Sequence, residues 1–254
     1  MQLTSEQIER MVIPSDYVLI KIDKMFDDEV KFTSGFTLYL DPSWQMADHV
    51  RVYGTVVKVP QKLTFDLNRK NPTLEWKTTL YVWPGDVVYM DYHSVLMALG
   101  KKADKGIEYA HDTWISDEKK NLYILIPYSD LFCKMDSDWN PVPINGYVLI
   151  KEVEEHWQSK NIILPGNIKS IKSMKVGQII VGGTPNLQYD NPRYTDDIDV
   201  SPGDFIIFHA YANRRMEYDL HAKMKTTLSA VQMRYIHAKI EDFDAENFYV
   251  QFFK

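Results

Sequence analysis

The pentapeptide Tyr-Val-Leu-Ile-Lys occupies residues 17–21 of this chain and occurs again at residues 147–151. The tripeptide Pro-Gly-Asp follows each copy, at residues 84–86 and at residues 202–204, and an apolar run comes directly after it each time. The pentapeptide recurs after 130 residues and the tripeptide after 118, so the order of the motifs is kept while their spacing is not. This pattern predicts two related domains and not a short-period solenoid.

The composition limits the classes of protein to which the chain can belong. Its 254 residues suit two domains, and the shares of 45% hydrophobic and 25% charged residues are those of a globular protein. The net charge is −6 and the sequence has no basic cluster. Because phosphate binding needs concentrated Lys and Arg, we expect no nucleic-acid partner.

Two further features concern the compartment. The sequence has no N-terminal apolar targeting segment and no apolar run near the roughly 20 residues of a membrane span, so we expect a cytoplasmic protein without membrane contact. The single cysteine, Cys133, lies in an apolar run, which predicts a buried thiol in a reducing compartment.

The local patterns predict one helix and many short strands. A short helix is expected at residues 4–11, where Thr4 or Ser5 can cap it and Gln7 can complete a capping box. Apolar and β-branched runs predict strands at residues 18–22, 35–40, 52–59, 78–83, 87–92, 121–126, 147–152, 178–181 and 205–209. Short strands separated by turns favour small antiparallel barrels, although two β-sandwiches fit the same pattern.

We divide the chain at its turn-rich segments. Residues 1–136 are assigned to a first barrel and residues 144–240 to a second. Residues 137–143, which contain two prolines, are expected to form a semi-rigid linker. Residues 241–254 form a C-terminal extension that the first copy lacks.

Four motifs stand in a fixed order in the second copy. The strand at residues 147–151 is followed by Asn-Ile-Ile-Leu-Pro at 161–165, Val-Gly-Gln-Ile-Ile-Val-Gly at 176–182 and Gly-Asp-Phe-Ile-Ile-Phe at 203–208. This order resembles the GroES-like co-chaperonin family (chaperonin-10), in which an early strand leads to a mobile loop that holds an apolar tripeptide. A strand of the type G-x-V-x-x-V-G, a roof hairpin and a turn-strand of the type G-D-x-V-x-F come next in that family.

The first copy shows the same order with some departures. The segments that match the family are residues 17–21, 54–59, 85–89 and 122–131. Residues 36–38 or 38–40 stand where the tripeptide is expected, and Thr37 interrupts the first of these. A polar insertion at residues 101–112 and the tail at residues 241–254 have no counterpart in the family pattern.

The resemblance implies an all-β fold of two tandem GroES-like small antiparallel β-barrels with long loops, preceded by a short N-terminal helix. It also implies a protein without enzymatic activity or cofactor. Such a protein would form a homo-oligomeric ring, bind a chaperonin ring through its mobile loops and assist protein folding. The apolar anchors would be Ile162, Ile163 and Leu164 in the second copy and Phe36 and Leu38 in the first.

Two alternatives remain open. Residues 162–164 and 36–40 also fit ordinary buried strands. The same barrels could instead form a structural ring or adaptor in a large assembly, such as a virus particle, where assembly proteins are the partners and the loops serve as fixed contacts.

The aromatic tail is a candidate oligomer contact. Phe248, Tyr249, Val250 and Phe252 form an apolar strand pattern at the end of the chain, and an uncovered strand of this kind pairs readily with other chains. It is expected either to extend the sheet of a neighbouring subunit or to pair within its own domain.

Other constellations favour neither a metal site nor an enzyme. The acidic run at residues 196–199 lacks the glycine and the later glutamate of an EF-hand loop, so a solvated hairpin is expected there. His209, His221 and His237 are too dispersed for a metal site. The sequence contains no G-x-G-x-x-G, P-loop or G-x-S-x-G motif, and we expect no catalytic residues.

Overall fold

The structure, a computed structural model, describes residues 1–13, 16–26, 29–31, 35–39, 41, 49–65, 74–75, 79–100, 114–157, 170–183, 200–210, 212–220, 224–245 and 249–250. The chain divides into unit 1 (Met1–Asp136) and unit 2 (Ser137–Lys254). Each unit is organised around an antiparallel sheet, and the α-helices with described bounds lie in unit 1. The predicted all-β class with a short N-terminal helix is therefore confirmed.

Unit 1 contains two α-helices and ten strands among its described residues. They are α1 (Ser5–Arg10), β1 (Tyr17–Ile22), β2 (Glu29–Lys31), β3 (Thr37–Tyr39), β4 (Tyr53–Lys58), β5 (Thr64–Phe65), β6 (Leu74–Glu75), β7 (Val87–Met90), α2 (Tyr92–Ala98), β8 (Trp114–Ser116), β9 (Leu122–Pro127) and β10 (Leu131–Met135). The sheet has the order β10-β7-β4-β1-β9-β8, and β2–β3 and β5–β6 form separate hairpins. The strand β1 lies between β4 and β9, and its consecutive residues Val18, Leu19 and Ile20 are all buried, so both of its faces are covered there.

The N-terminal helix forms as its sequence predicts. The Thr4 side chain accepts a hydrogen bond from the Gln7 N–H at 3.1 Å, and Gln7 Oε1 accepts one from the Thr4 N–H at 2.8 Å. This capping box satisfies two amide groups that a helix start leaves unpaired. Ile8 then packs with Ile13 and Leu19 in one hydrophobic cluster, which joins α1 to the sheet.

Two predicted strands of unit 1 differ from the structure, one in its end and one in its described residues. The strand expected at 87–92 ends at Met90, because Asp91 caps the helix α2 by accepting a hydrogen bond from the His93 N–H at 2.8 Å. Residues 79–83 of the strand expected at 78–83 have no strand pairing, although Val82 is fully buried. Val82 is therefore buried although it lies in irregular backbone and not in a strand.

Unit 2 contains eight described strands. They are β11 (Pro141–Pro143), β12 (Tyr147–Trp157), β13 (Ser170–Val181), β14 (Phe205–Phe208), β15 (Arg214–Leu220), β16 (Met224–Gln232), β17 (Ile236–Ile240) and β18 (Tyr249–Val250). The sheet has the order β15-β16-β12-β13-β14-β17, and β18 pairs with β12 in parallel. The last three residues of the predicted linker form β11, whose two prolines are buried.

The two sheets have the same strand order. Read from one edge, β10-β7-β4-β1-β9-β8 of unit 1 corresponds to β17-β14-β13-β12-β16-β15 of unit 2. A 3₁₀ turn precedes the corresponding strands β10 and β17, at Tyr128–Asp130 and at Met233–Tyr235. The repeat in the sequence therefore has a counterpart in the hydrogen-bonded topology.

The register of the strands agrees as well. The β1–β4 pairing shifts between Leu19 and Ile20, and the β12–β13 pairing shifts between Leu149 and Ile150, which are the residues 130 positions later. A β-bulge adds one residue to one strand and bends it. The two units thus bend corresponding strands at the same place.

Candidate partner-binding surface

The structure describes part of the predicted binding residues. Leu38 lies on β3 and Phe36 directly precedes this strand. Ile162, Ile163 and Leu164 lie outside the described residues. Phe248 and Phe252 also lie outside them, as do the acidic run at residues 196–199 and His221.

The described part of the tail pairs within its own unit. The strand β18 runs parallel to the end of β12, with Tyr249 opposite His156 and Val250 opposite Trp157. This matches one of the two alternatives for the tail, in which it covers an edge of its own sheet. Pairing of this kind occupies backbone groups that an open edge would present to another chain.

The hairpin β2–β3 carries a concentration of exposed apolar side chains. Leu38 pairs with Val30 and Tyr39 with Glu29 across the hairpin. Phe36 is 60% exposed, Leu38 43% and Tyr39 71%. The expectation of a buried core strand does not fit these values, because a core strand buries at least one face.

Consecutive residues of β3 point to opposite faces, and both faces are open to solvent. Leu38 and Tyr39 are neighbours in the strand, so their side chains lie on opposite sides of the hairpin. Both are exposed, while Thr37 between Phe36 and Leu38 is half-buried. The described residues of β3 therefore leave apolar surface on both sides of the hairpin.

We call residues 23–50 the unit 1 loop; they follow β1 directly and are separated from β4 by residues 51–52. Backbone contacts join the two ends of this loop. Phe26 forms an antiparallel bridge with Val50, and the Arg51 N–H donates a hydrogen bond to the Met25 carbonyl at 3.0 Å. The two ends of the loop are thus joined next to the sheet, before the chain reaches the hairpin.

An arginine side chain adds a second contact at the same place. The guanidinium of Arg51 lies 3.1 Å from the Asp23 carboxylate and also donates to the Tyr53 hydroxyl. It stacks over the Tyr53 ring at 4.4 Å from the centroid, and its side chain is almost fully buried while Asp23 is exposed. Arg51 therefore links the start of the loop to the first residue of β4, a role that the sequence pattern did not indicate.

Unit 2 extends the corresponding strands in another way. Here β12 and β13 continue as a paired ribbon as far as His156 and Ser170. The buried hydroxyl of Ser173 accepts hydrogen bonds from the backbone N–H groups of Lys175 and Val176 at 3.2 and 3.0 Å, close to a register shift in the ribbon. Both units thus have a connection between the same two strands of the common strand order.

Other chemical groups among the described residues are arranged for structure. No three His, Cys, Asp or Glu side chains in the described ranges are placed to share a metal ion. His209 and His237 have ring centroids 5.9 Å apart. Cys133 is buried, as predicted, and this burial raises the pKa of its thiol. In the part of the chain that the structure describes, no helix is long and apolar enough to cross a membrane.

Protein-family models and curated protein sequences give no relative of this chain: no family model matches it, and no curated sequence does.

Proposed function

We propose that this chain is a non-catalytic binding protein of the GroES-like type, which docks onto a chaperonin ring through its projecting loops and assists protein folding. The observation that carries the proposal is the hairpin β2–β3, on which Phe36, Leu38 and Tyr39 are exposed together. A projecting apolar hairpin suits insertion into a groove of a partner.

The energetics of such docking favour several weak contacts. Burying an apolar side chain of this size supplies roughly 1.5–3 kcal/mol, from which the costs of ordering and association are subtracted. The paired hairpin and its joined base lower the ordering cost, because part of the loop already has a defined conformation. Several linked loops in a ring would raise the avidity by about 10²–10⁴-fold.

The repeated topology supports the two related domains that the proposal requires. In each unit the first strand of the copy pairs with the strand that carries the next motif, and the predicted loop lies between these two strands in the sequence. Two units per chain also constrain the ring. A ring with an odd number of barrels cannot close from whole chains, so the assembly would need an even number of barrels, mixed subunits or an unpaired barrel.

The test is binding to a purified chaperonin, measured with and without ATP. We expect nucleotide-dependent binding, and Leu38→Asp and Ile163→Asp should each weaken it at least about tenfold through loss of apolar burial. The matched control is Ile180→Asp, because Ile180 is 41% exposed on β13 and is not one of the proposed anchors. Absence of nucleotide-dependent binding by the unmodified chain would overturn the co-chaperonin function.

A structural adaptor in a large assembly is the second candidate. The base of the unit 1 loop is joined by the Phe26–Val50 bridge and by Arg51, as a fixed contact would require. Under this function the protein would be recovered only as part of a multi-protein particle, and crosslinks from residue 38 would lead to a particle protein. Crosslinks to a chaperonin would instead support the first candidate.

A further inference from the structure

A cavity of about 450 Å³ lies in unit 1, between the segment that follows α1, the helix α2 and the strand β9. Apolar side chains form most of its wall. They come from the segment after α1, from α2 and from β9, and include Met11, Val12, Met97, Leu125 and Pro127. A volume of this order falls within the roughly 300–1,000 Å³ of small-molecule sites.

The polar groups of the cavity are a tyrosine, a serine and a carboxylate. Tyr17, Ser94 and Asp130 belong to its lining. Asp130 accepts hydrogen bonds from the Ser94 hydroxyl at 2.6 Å and from the Ser129 hydroxyl at 3.0 Å. A carboxylate has about four lone-pair sites, so two hydroxyl donors leave acceptor capacity for a ligand.

The electrostatic environment of this carboxylate is negative. Burial raises the pKa of Asp130, hydrogen bonds from Ser94 and Ser129 oppose that rise, and the carboxylates of Asp91 and Asp16 add to it. Burial also raises the pKa of Tyr17, and the charges of Asp16 and Asp130 raise it further. Among the described residues that line the cavity, none is Lys, Arg or His.

We propose that the cavity binds a small amphipathic amine, with its hydrocarbon chain against the apolar wall and its ammonium group on Asp130 and Ser94. A cation in this position would satisfy the open acceptor sites and offset the repulsion between the carboxylates. A fatty acid of the same length would bring a further negative charge to them and is disfavoured. This inference concerns unit 1 alone and is independent of docking by the loops.

The test is a calorimetric titration of the full chain with n-alkylamines from butylamine to octylamine, next to the n-alkanols and n-alkanoates of equal length. We expect saturable binding in the order amine, alcohol, carboxylate. Affinity should rise about fourfold for each added methylene until the cavity is filled, as expected for burial of hydrocarbon. Equal affinity for the three head groups, or no saturable binding, would overturn the proposal.

Two variants locate the site and one serves as a control. Asp130→Asn keeps the shape of the side chain and should remove about tenfold of the preference for amine over alcohol, as expected for loss of a charge-assisted hydrogen bond. Val12→Trp changes an exposed wall residue and should block all three series. Glu9→Gln removes an exposed charge of α1 outside the lining and should leave every affinity unchanged.

The source of the ammonium group is distinguished by one further probe. N-acetyl-lysine methylamide presents a lysine side chain as a peptide would. If it binds more tightly than butylamine, the site takes a protein lysine and the small-molecule proposal is wrong. If Val12→Trp folds with unchanged melting temperature and still binds octylamine, the ligand lies elsewhere and the proposal is likewise wrong.

Discussion

Units 1 and 2 have the same strand order in their sheets but differ at the base of the loop that follows the first strand. The strand order, the register shift between the first strand and its partner and the Pro-Gly-Asp turn agree between them. At the loop base, unit 1 has Arg51, whereas the corresponding position of unit 2, 123 residues later, has Met174. Packing inside the sheet tolerates little change, while the loop base can be built from different residues.

The Pro-Gly-Asp turn shows how closely the shared part agrees. Asp86 accepts a hydrogen bond from the Trp83 N–H at 2.9 Å, and Asp204 accepts one from the Ser201 N–H at 2.7 Å. Each aspartate also pairs with a lysine of the adjacent strand, Lys134 of β10 in unit 1 at 3.3 Å and Lys239 of β17 in unit 2 at 2.9 Å. A motif that looks common in sequence is therefore part of a specific junction between strands.

The largest expected effect is on a pair of corresponding glycines, each of which lies close to the neighbouring strand of its own sheet. A Cβ atom at Gly54 would lie 2.5 Å from the Lys21 carbonyl oxygen, whereas a Cβ at Gly177 would lie 2.7 Å from the flexible end of Ile150 and 3.2 Å from the Lys151 carbonyl oxygen. Backbone cannot give way as a side chain can. We expect Gly54→Ala to destabilise unit 1 by about 3 kcal/mol and Gly177→Ala to destabilise unit 2 by only about 1 kcal/mol.

Hydrogen exchange followed by mass spectrometry measures both units within the intact chain. Protection should fall mainly in the peptides of the substituted unit. A larger loss from Gly177→Ala than from Gly54→Ala would contradict the distinction between backbone and side-chain contacts.

The second effect concerns the loop base, where the units differ. Arg51→Ala removes a buried guanidinium together with its contacts to Asp23 and Tyr53, and we expect a loss of about 2 kcal/mol in unit 1. This value is below that of a fully buried ion pair because Asp23 is exposed. The matched change is Met174→Ala, where the side chain is 48% exposed, and we expect less than about 0.5 kcal/mol in unit 2.

Hydrogen exchange of the peptide that contains Met25 and Phe26 checks this prediction directly. Its amides should exchange faster in Arg51→Ala while those of β9 keep their protection. If Arg51→Ala and Met174→Ala have equal effects, the loop bases do not differ in the way described.

The sequence predicted the features that depend on neighbouring residues. The capping box of α1 needs only Thr4 and Gln7, and the Pro-Gly-Asp turns need only the backbone preferences of three residues. The helix α2 was missed because residues 95–99 form a continuous apolar run, in which no helical period can be recognised.

The candidate surface was predicted in part. The apolar character of Phe36 and Leu38 was evident, but their exposure was not, because a short alternating strand looks the same whether it is buried or projecting. The contact between Asp23 and Arg51 joins residues 28 positions apart, and a single sequence gives no signal for such a pair. Long-range contacts of this kind are decided by the fold as a whole.

The third effect should be equal in the two units. Gly85 has φ = +100° and Gly203 has φ = +99°, and a Cβ atom at either position would meet no atom within 4 Å. The cost of an alanine is therefore one of backbone conformation alone, which we expect to be about 1–2 kcal/mol in each unit. The control is Gly182→Ala, because its φ is not in the left-handed region and its nearest contact is an ordinary 3.5 Å.

Thermal unfolding of Gly85→Ala, Gly203→Ala and Gly182→Ala, assigned to units by hydrogen exchange, provides the measurement. The losses in free energy of unfolding should agree between Gly85→Ala and Gly203→Ala. A difference of more than about 1 kcal/mol, larger than the deviation from additivity seen for distant sites, would show that the turns are not equivalent.

The smallest effect is on acid sensitivity, where each unit has its own stabilised carboxylate. Burial acts to raise the pKa of Asp117 in unit 1, but hydrogen bonds from Asn121, Tyr123 and the Lys119 N–H outweigh it and lower the pKa. In unit 2, the Lys239 ammonium and the Ser201 N–H lower the pKa of Asp204. One carboxylate is thus held largely by neutral donors and the other by a cation.

The sign of the pH dependence follows from the lowered pKa values. Each carboxylate stabilises its unit fully above the ordinary aspartate pKa of 3.8, and this contribution is lost as the pH falls through the lower value of the folded state. The salt dependence of unfolding distinguishes the two carboxylates. Salt screens the attraction between Asp204 and Lys239, which is partly exposed, more than it weakens the hydrogen bonds from neutral donors to Asp117. We therefore expect Asp204→Asn to remove most of the salt dependence of unit 2 unfolding at pH 7, while Asp117→Asn leaves that of unit 1 unchanged. Melting curves from pH 7 to pH 2 at low and high salt check this, and an equal salt response in both variants would contradict the assignment of the two carboxylates to different kinds of donor.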